Sequence, residues 1–195
     1  MKRLSENFFA RSAHDLAMIL LGCELRVNGC AVRIVETEAY TPDDEASHSF
    51  RGSGGRAHTM YRPVGTIYVY RSYGIHHCIN IVCDRDRPGS AVLIRAGEPV
   101  TGSSRMANRR GIPPDRRELS NGPGKLAQAL GVTTDDWNGR MLNDASEGDA
   151  GMWVTPGQPP ARILQTARVG ISKAVDLPRR YLNPDSQYLL RKYRV

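Results

Sequence analysis

The chain has 195 residues, 40% of them hydrophobic, and a net charge of +7 from 27 Lys and Arg against 20 Asp and Glu. That length fits a single domain with a real core, expected over residues 1–195, and the basic excess favours a polyanionic partner. No run is long and apolar enough to span a membrane, and the start Met1-Lys2-Arg3 is not followed by a signal-like apolar stretch, so a cytoplasmic protein with no membrane partner is expected.

The first predicted helix starts at Ser12, an N-cap with Asp15 in the capping-box position. Leu16, Ile19 and Leu20 form its apolar stripe, and Gly22 ends it. Residues 31–40 read as a strand, with Val32, Ile34, Glu36, Glu38 and Tyr40 on one face by period two. Acids sharing a face with Val and Ile are unusual for a strand that only packs.

A polar loop is expected over residues 41–62. Residues 66–72 and 75–83 then form a hairpin with Tyr73-Gly74 at its tip, and residues 90–96 form another strand. Residues 102–121 read as a basic loop with Arg105, Arg109, Arg110, Arg116 and Arg117. A helix runs from Pro123, preorganised for a first turn, to Gly131. Trp137 falls in a short helix, residues 152–155 and 162–171 supply late strands, and the segment from residue 176 on is basic.

The cysteines, Cys23, Cys30, Cys78 and Cys83, match neither zinc spacing nor a disulfide scaffold and read as reduced thiols. His76-His77-Cys78 makes a poor metal site, because adjacent strand residues point to opposite faces. No cofactor is expected.

Candidate chemistry sits in four places. Glu38, with Tyr40, Asp44 and His48 nearby, could stack a planar ring and activate water, or could be a solvated strand face. Tyr68 and Tyr70 share a face of the hairpin and could be ordinary strand formers. Tyr73 and Ile75 at a protruding tip are what a DNA wedge needs. Asn80 and Arg95 are polar residues set in apolar runs, which are either tied networks or site residues. Lys125 opens a helix, but Gly122-Pro-Gly-Lys125 is not a Walker loop.

Together these segments resemble the alkyladenine (3-methyladenine) DNA glycosylase family, in a bacterial form. The matching pieces are Ile34-Val-Glu-Thr-Glu-Ala-Tyr40, Asp44-Glu-Ala-Ser-His48, Arg62-Pro-Val-Gly-Thr-Ile-Tyr-Val-Tyr-Arg-Ser-Tyr-Gly74, Cys78-Ile-Asn80, Val92-Leu-Ile-Arg-Ala96, Asn121-Gly-Pro-Gly-Lys-Leu126 and Ala167-Arg-Val-Gly170, in the family's order. The resemblance implies a mixed α/β (α+β) domain with a curved, largely antiparallel sheet, a protruding hairpin and flanking helices. It implies a monomeric, monofunctional enzyme, cytoplasmic and nucleoid-associated, that acts on damaged double-stranded DNA. Such an enzyme flips alkylated or deaminated purines from the duplex and leaves an abasic site.

By the same resemblance Glu38 is the general base, with Arg95 and the Val169 main chain holding the attacking water. Tyr40, His48 and Tyr70 wall the purine, and Asn80 screens its 2-amino group. Tyr73 intercalates, supported by Ile75. Ile75 is shorter and stiffer than the residue some relatives carry, and His76-His77 replace aromatic or apolar residues. Phosphate contacts are expected from Arg51, Arg56, the arginines between 105 and 117, and the C-terminal basic residues. The rival readings are a bifunctional lyase using Lys125, a non-catalytic damaged-DNA binder and a nucleoside hydrolase.

Overall fold

A computed structural model describes residues 2–144 and 151–190. Its elements, in chain order, are α1 (Glu6–Phe9), α2 (Ala13–Ile19), β1 (Glu24–Val27), β2 (Cys30–Tyr40), β3 (Ile67–Ser72), β4 (His76–Cys83), β5 (Ser90–Thr101), α3 (Ser103–Arg110), α4 (Pro123–Leu130), α5 (Thr134–Trp137), β6 (Met152–Thr155), β7 (Leu164–Thr166) and β8 (Arg180–Leu182). The sheet runs β3-β4-β5-β2-β1-β6, with β8 joining β2 and β7. Every pairing between these strands is antiparallel. The expected architecture, one compact mixed α/β domain around a curved antiparallel sheet, is the one that forms.

Helix α2 begins as its sequence dictates. Ser12 Oγ accepts from the Asp15 amide at 3.1 Å and donates to Asp15 Oδ2 at 2.7 Å. Its buried face is Ala13, Leu16 and Ala17 with Leu20, whereas Ile19, expected in the stripe, is 39% exposed. Helix α4 starts with Pro123 in its first turn and closes on Gly131 in the left-handed region, as read from the sequence. Leu16, Leu20, Leu126 and Leu130 meet Ile34, Ile67, Ile79 and Ile94 of the sheet in the main core. Each such side chain contributes roughly 1.5–3 kcal/mol by leaving water.

Strand β2 corrects one expectation in a way that matters for the site. Its residues do not share a single face. The register with β5 slips between Ile34 and Glu36 and again between Glu36 and Thr37, so Val35 on β2 and Arg95 on β5 have no cross-strand partner. Bulges of this kind flip the pleat and curl the sheet. Val32 and Ile34 enter the main core before the slip. After it, Ala39 enters that core and Thr37 Oγ1 donates to Ala17 O of α2 at 2.7 Å. Glu36, Glu38 and Tyr40 therefore turn to the opposite face. The irregular backbone is what separates the carboxylates from the hydrocarbon.

Other departures are local. Residues 102–121 hold helix α3, not a continuous loop, because Met106 and Ala107 bury against the core while Gly102 and Gly111 bracket the helix in left-handed conformations. Residues 162–171 form only the three-residue β7. Strands β1 and β8 were not anticipated. The hairpin strand β4 starts at His76, one residue later than expected, so the β3–β4 connection is Tyr73-Gly74-Ile75. Residues 191–195, part of the basic C-terminal segment, lie outside the described residues.

Candidate active site

The two bulges deliver a buried charge cluster. Arg95, a residue of β5 without a partner on β2, lies between two carboxylates of β2. Its Nε is 2.9 Å from Glu38 Oε1 and its Nη1 is 3.1 Å from Glu36 Oε1. Arg180, on β8, approaches Glu36 Oε1 at 2.5 Å through Nε. Glu36 and Glu38 are essentially inaccessible to solvent. Two acids and two arginines thus share one dry space, where charge is tolerable only through such pairing.

Glu38 receives two further bonds. The Val169 amide donates to Oε1 at 3.1 Å, and the Tyr40 hydroxyl donates to Oε2 at 2.8 Å. Arg95 Nη2 reaches back to Val169 O at 3.5 Å, the outer limit of a hydrogen bond. Burial pushes the Glu38 carboxyl above the ordinary range, and Glu36 adds to this; Arg95, Tyr40 and Val169 oppose it. Burial works against the Arg95 charge, but Glu38 and Glu36 outweigh it and hold its pKa above the usual value. Burial, with Glu38 beside it, raises the Tyr40 phenol, which stays a donor.

Over this cluster opens a cavity of about 290 Å³, lined among others by Tyr40, His48, Tyr70, Tyr73 and Asn80. Its rings are mutually braced. His48 packs edge-on to Tyr70 with centroids 4.6 Å apart, and Tyr70 lies 5.5 Å from Tyr68. His48 Nδ1 and Tyr68 OH are hydrogen-bonded at 2.7 Å. Desolvation against this wall, helped by the Arg56 charge, pushes the His48 imidazole down to about 4, so the ring is neutral near pH 7. Asn80 Nδ2 donates to Tyr68 O at 3.0 Å and Cys78 O at 3.3 Å. Both of its amide protons are therefore used, and its side chain is a fixed part of the cavity wall.

At the hairpin tip Tyr73 is 85% exposed and Ile75 71% exposed. Tyr73 has φ of 50° and Gly74 φ of 74°, left-handed values that a tyrosine rarely adopts. The tip end of the hairpin is held from the helices. His77 Nδ1 accepts from the Thr134 amide at 3.0 Å, and the His76 ring lies against Gly124, where an added Cβ would sit 2.9 Å from it. The two histidines thus brace β4 on α4 and α5. Among the described residues no group of three or more His, Cys, Asp or Glu is placed to hold a metal.

The structure therefore gathers Glu38, Arg95, Val169 and Tyr40 in one cluster, Tyr40, His48, Tyr70 and Asn80 around one cavity, and Tyr73 at its rim. Glu38 and Arg95 are not among the residues that line the cavity, and Tyr40, which lines it, joins Glu38 to it through its hydroxyl. Tyr68, weighed from the sequence as an ordinary strand former beside Tyr70, fixes His48 through its hydroxyl, and sequence reasoning missed Lys173, an exposed amine at the cavity edge. Lys125, the lyase candidate, is outside that lining and donates to Asn121 Oδ1 at 2.9 Å. Two expected phosphate contacts are partly committed elsewhere. Arg105 donates to Asn28 O at 3.0 Å, and Arg109 donates to Ala129 O at 3.0 Å. Arg51 and Arg56 are exposed, and Arg56 lines the cavity.

A family model described as methylpurine-DNA glycosylase (MPG) matches residues 7–187. A protein of Rhodopseudomonas palustris (strain ATCC BAA-98 / CGA009), named "Putative 3-methyladenine DNA glycosylase", is 45% identical over 190 residues, covering 97% of this chain and 89% of that one. A protein of Methanoculleus marisnigri with the same name is 45% identical over 188 residues, covering 95% of this chain and 97% of its own. One from Nitrosospira multiformis, again so named, is 44% identical over 186 residues, covering 95% and 93%.

Proposed function

Since the chain belongs to the methylpurine-DNA glycosylase family, we propose that it excises alkylated purines from double-stranded DNA by hydrolysis of the N-glycosidic bond. The observation that carries this reading is the buried Glu38 carboxylate, ion-paired with Arg95 and hydrogen-bonded by the Val169 amide and by Tyr40, which itself lines the aromatic cavity. A binder of bases needs the cavity; only a hydrolase needs the carboxylate.

In this mechanism the damaged nucleotide leaves the stack and its base enters the cavity. Tyr40, Tyr70 and His48 stack on the ring. A purine alkylated at N3 or N7 is cationic, and an aromatic face over it adds roughly 0.5–2 kcal/mol. The neutral His48 does not oppose that charge. Asn80, rigid in the wall, crowds a 2-amino group and disfavours normal guanine. Tyr73 fills the gap in the duplex, with Ile75 supporting it.

The attacking water gives its proton to Glu38 as its oxygen bonds to C1′, and the C1′–N bond breaks with its electron pair going to the purine. Cationic purines leave as neutral bases and need no acid. Arg95 and the Val169 carbonyl orient the water and balance the carboxylate. Deaminated purines are neutral and need a proton on the leaving base, so their release is expected to be slower.

A second reading, a non-catalytic damaged-DNA binder, draws on one observation: Glu38 is 1% exposed and both its oxygens are already bonded. Glu38→Gln separates the two. Under the glycosylase reading the variant binds damaged duplex as the wild type does and loses base release by at least about a hundredfold.

A further inference from the structure

Arg168 adjoins Val169 and carries a buried ion pair outside the cluster just described. Its guanidinium makes a two-armed contact with Asp44: Nη1 meets Oδ2, and Nη2 meets Oδ1 at 2.9 Å. Neither side chain has exposed surface. Nη1 also donates to Ala39 O at 3.2 Å, which pins the segment after β7 to the end of β2. The guanidinium carbon lies 4.6 Å from the centroid of the Tyr40 ring. Tyr40 lines the cavity and Arg168 does not, so the guanidinium backs the ring from the protein side.

Apart from Arg95, the groups bonded to Glu38 are the Tyr40 hydroxyl and the Val169 amide. Arg168 touches the ring of the first and is the chain neighbour of the second. A buried ion pair adds little to stability compared with apolar residues of the same size, so its presence calls for a role in placement. The planar fork of arginine suits this. It can grip a carboxylate with two nitrogens and still stack on an aromatic face.

We propose that Arg168, clamped by Asp44, is a positioning residue for base excision that fixes both the Tyr40 ring and the Val169 amide against Glu38. This rests on the glycosylase reading for its kinetic consequence, though not for its geometry. Removing Asp44 alone would strand a buried cation and risks unfolding the chain. The test is therefore the double variant Asp44→Asn/Arg168→Met, which removes both charges and leaves Arg179, 3.3 Å from Asp44 Oδ2, its contacts with Thr41 and Asp43, beside Arg168→Lys, which keeps the pair but loses the fork.

Three readouts apply. The Val169 amide proton, followed by NMR, should move upfield in the double variant as its bond to the carboxylate is lost. Single-turnover release of 7-methylguanine should fall roughly ten- to hundredfold, as for small misplacements of catalytic groups, a larger loss than that in damaged-DNA affinity, which weakens only as far as the Tyr40 wall of the cavity loosens. The acidic limb of the rate profile should move to higher pH, because Glu38 loses donors that favour its charged form. Arg168→Lys should lie between. An unmoved Val169 resonance, or excision at the wild-type rate with the limb in place, overturns the inference. A wild-type chain that releases no base overturns the glycosylase reading instead, and the amide shift still decides this one.

Discussion

Arg95 Nε lies 2.9 Å from Glu38 Oε1 because Arg95 is a bulge residue of β5 facing a bulged β2. On a regular ladder Arg95 would have had a cross-strand partner and a fixed side of the pleat. The slip places it between Glu36 and Glu38, so one guanidinium is shared by two carboxylates. Burial, with the neighbouring Glu36 adding to it, leaves Glu38 harder to ionise than an ordinary glutamate, although Arg95 opposes the shift.

The first prediction concerns pH. Glu38 acts as a base only when ionised, and its pKa is raised, chiefly by desolvation. The groups that face it are Arg95, Tyr40, the Val169 amide and Glu36. As pH falls, the active form is lost at a higher pH than for a free glutamate, so the acidic limb of the single-turnover rate lies above the usual glutamate range. His48 titrates only at about 4 and does not set that limb. A limb at or below the free-glutamate value contradicts this assignment.

Tyr73→Ser tests the wedge. An exposed tyrosine at a strained tip packs against nothing that the fold needs, so stability should change by less than about 0.5 kcal/mol. Excision from duplex DNA should drop about tenfold or more, while excision from single strands, already unstacked, should drop much less. Equal losses on both substrates would remove Tyr73 from the flipping step.

Tyr68→Phe tests the aromatic wall. The hydroxyl bonded to His48 Nδ1 is lost while the ring is kept. Thermal unfolding should show a loss of about 0.5–1.5 kcal/mol, the usual net value of one hydrogen bond. Affinity for the damaged base should weaken with it, as the His48 ring is released. Unchanged affinity would mean that His48 is held by its packing on Tyr70 alone.

Much of this site is readable from residue types and order. Asn80 and Arg95 stand out as polar residues in apolar runs, Glu38 as an acid on a strand face with Val32 and Ile34, and Tyr40 and His48 by their closeness to it, while the family resemblance joins these to Tyr70. The ends of α2 and α4 were legible because Ser12, Pro123 and Gly131 make local hydrogen-bond or backbone demands. Strand β8 was not legible. Three residues carry no period, and its place beside β2 depends on Arg180 reaching Glu36 across 144 positions. The bulges at Val35 and Arg95 were hidden for the same reason, since a register slip is a property of two strands. Helix α3 was hidden by its arginines, which mask an apolar contact made only by Met106 and Ala107.

The most direct measurement is base release from duplex oligonucleotides carrying one 7-methylguanine, 1,N6-ethenoadenine, hypoxanthine or 3-methyladenine analogue, with Glu38→Gln in parallel and borohydride added to a second set. The account predicts free base from the cationic lesions with wild type, at least about a hundredfold less with Glu38→Gln, an intact abasic strand and no borohydride-trapped adduct through Lys173 or Lys125. No release from any lesion with tight binding to damaged duplex would contradict it, and would leave the aromatic cavity as a sensor of damage.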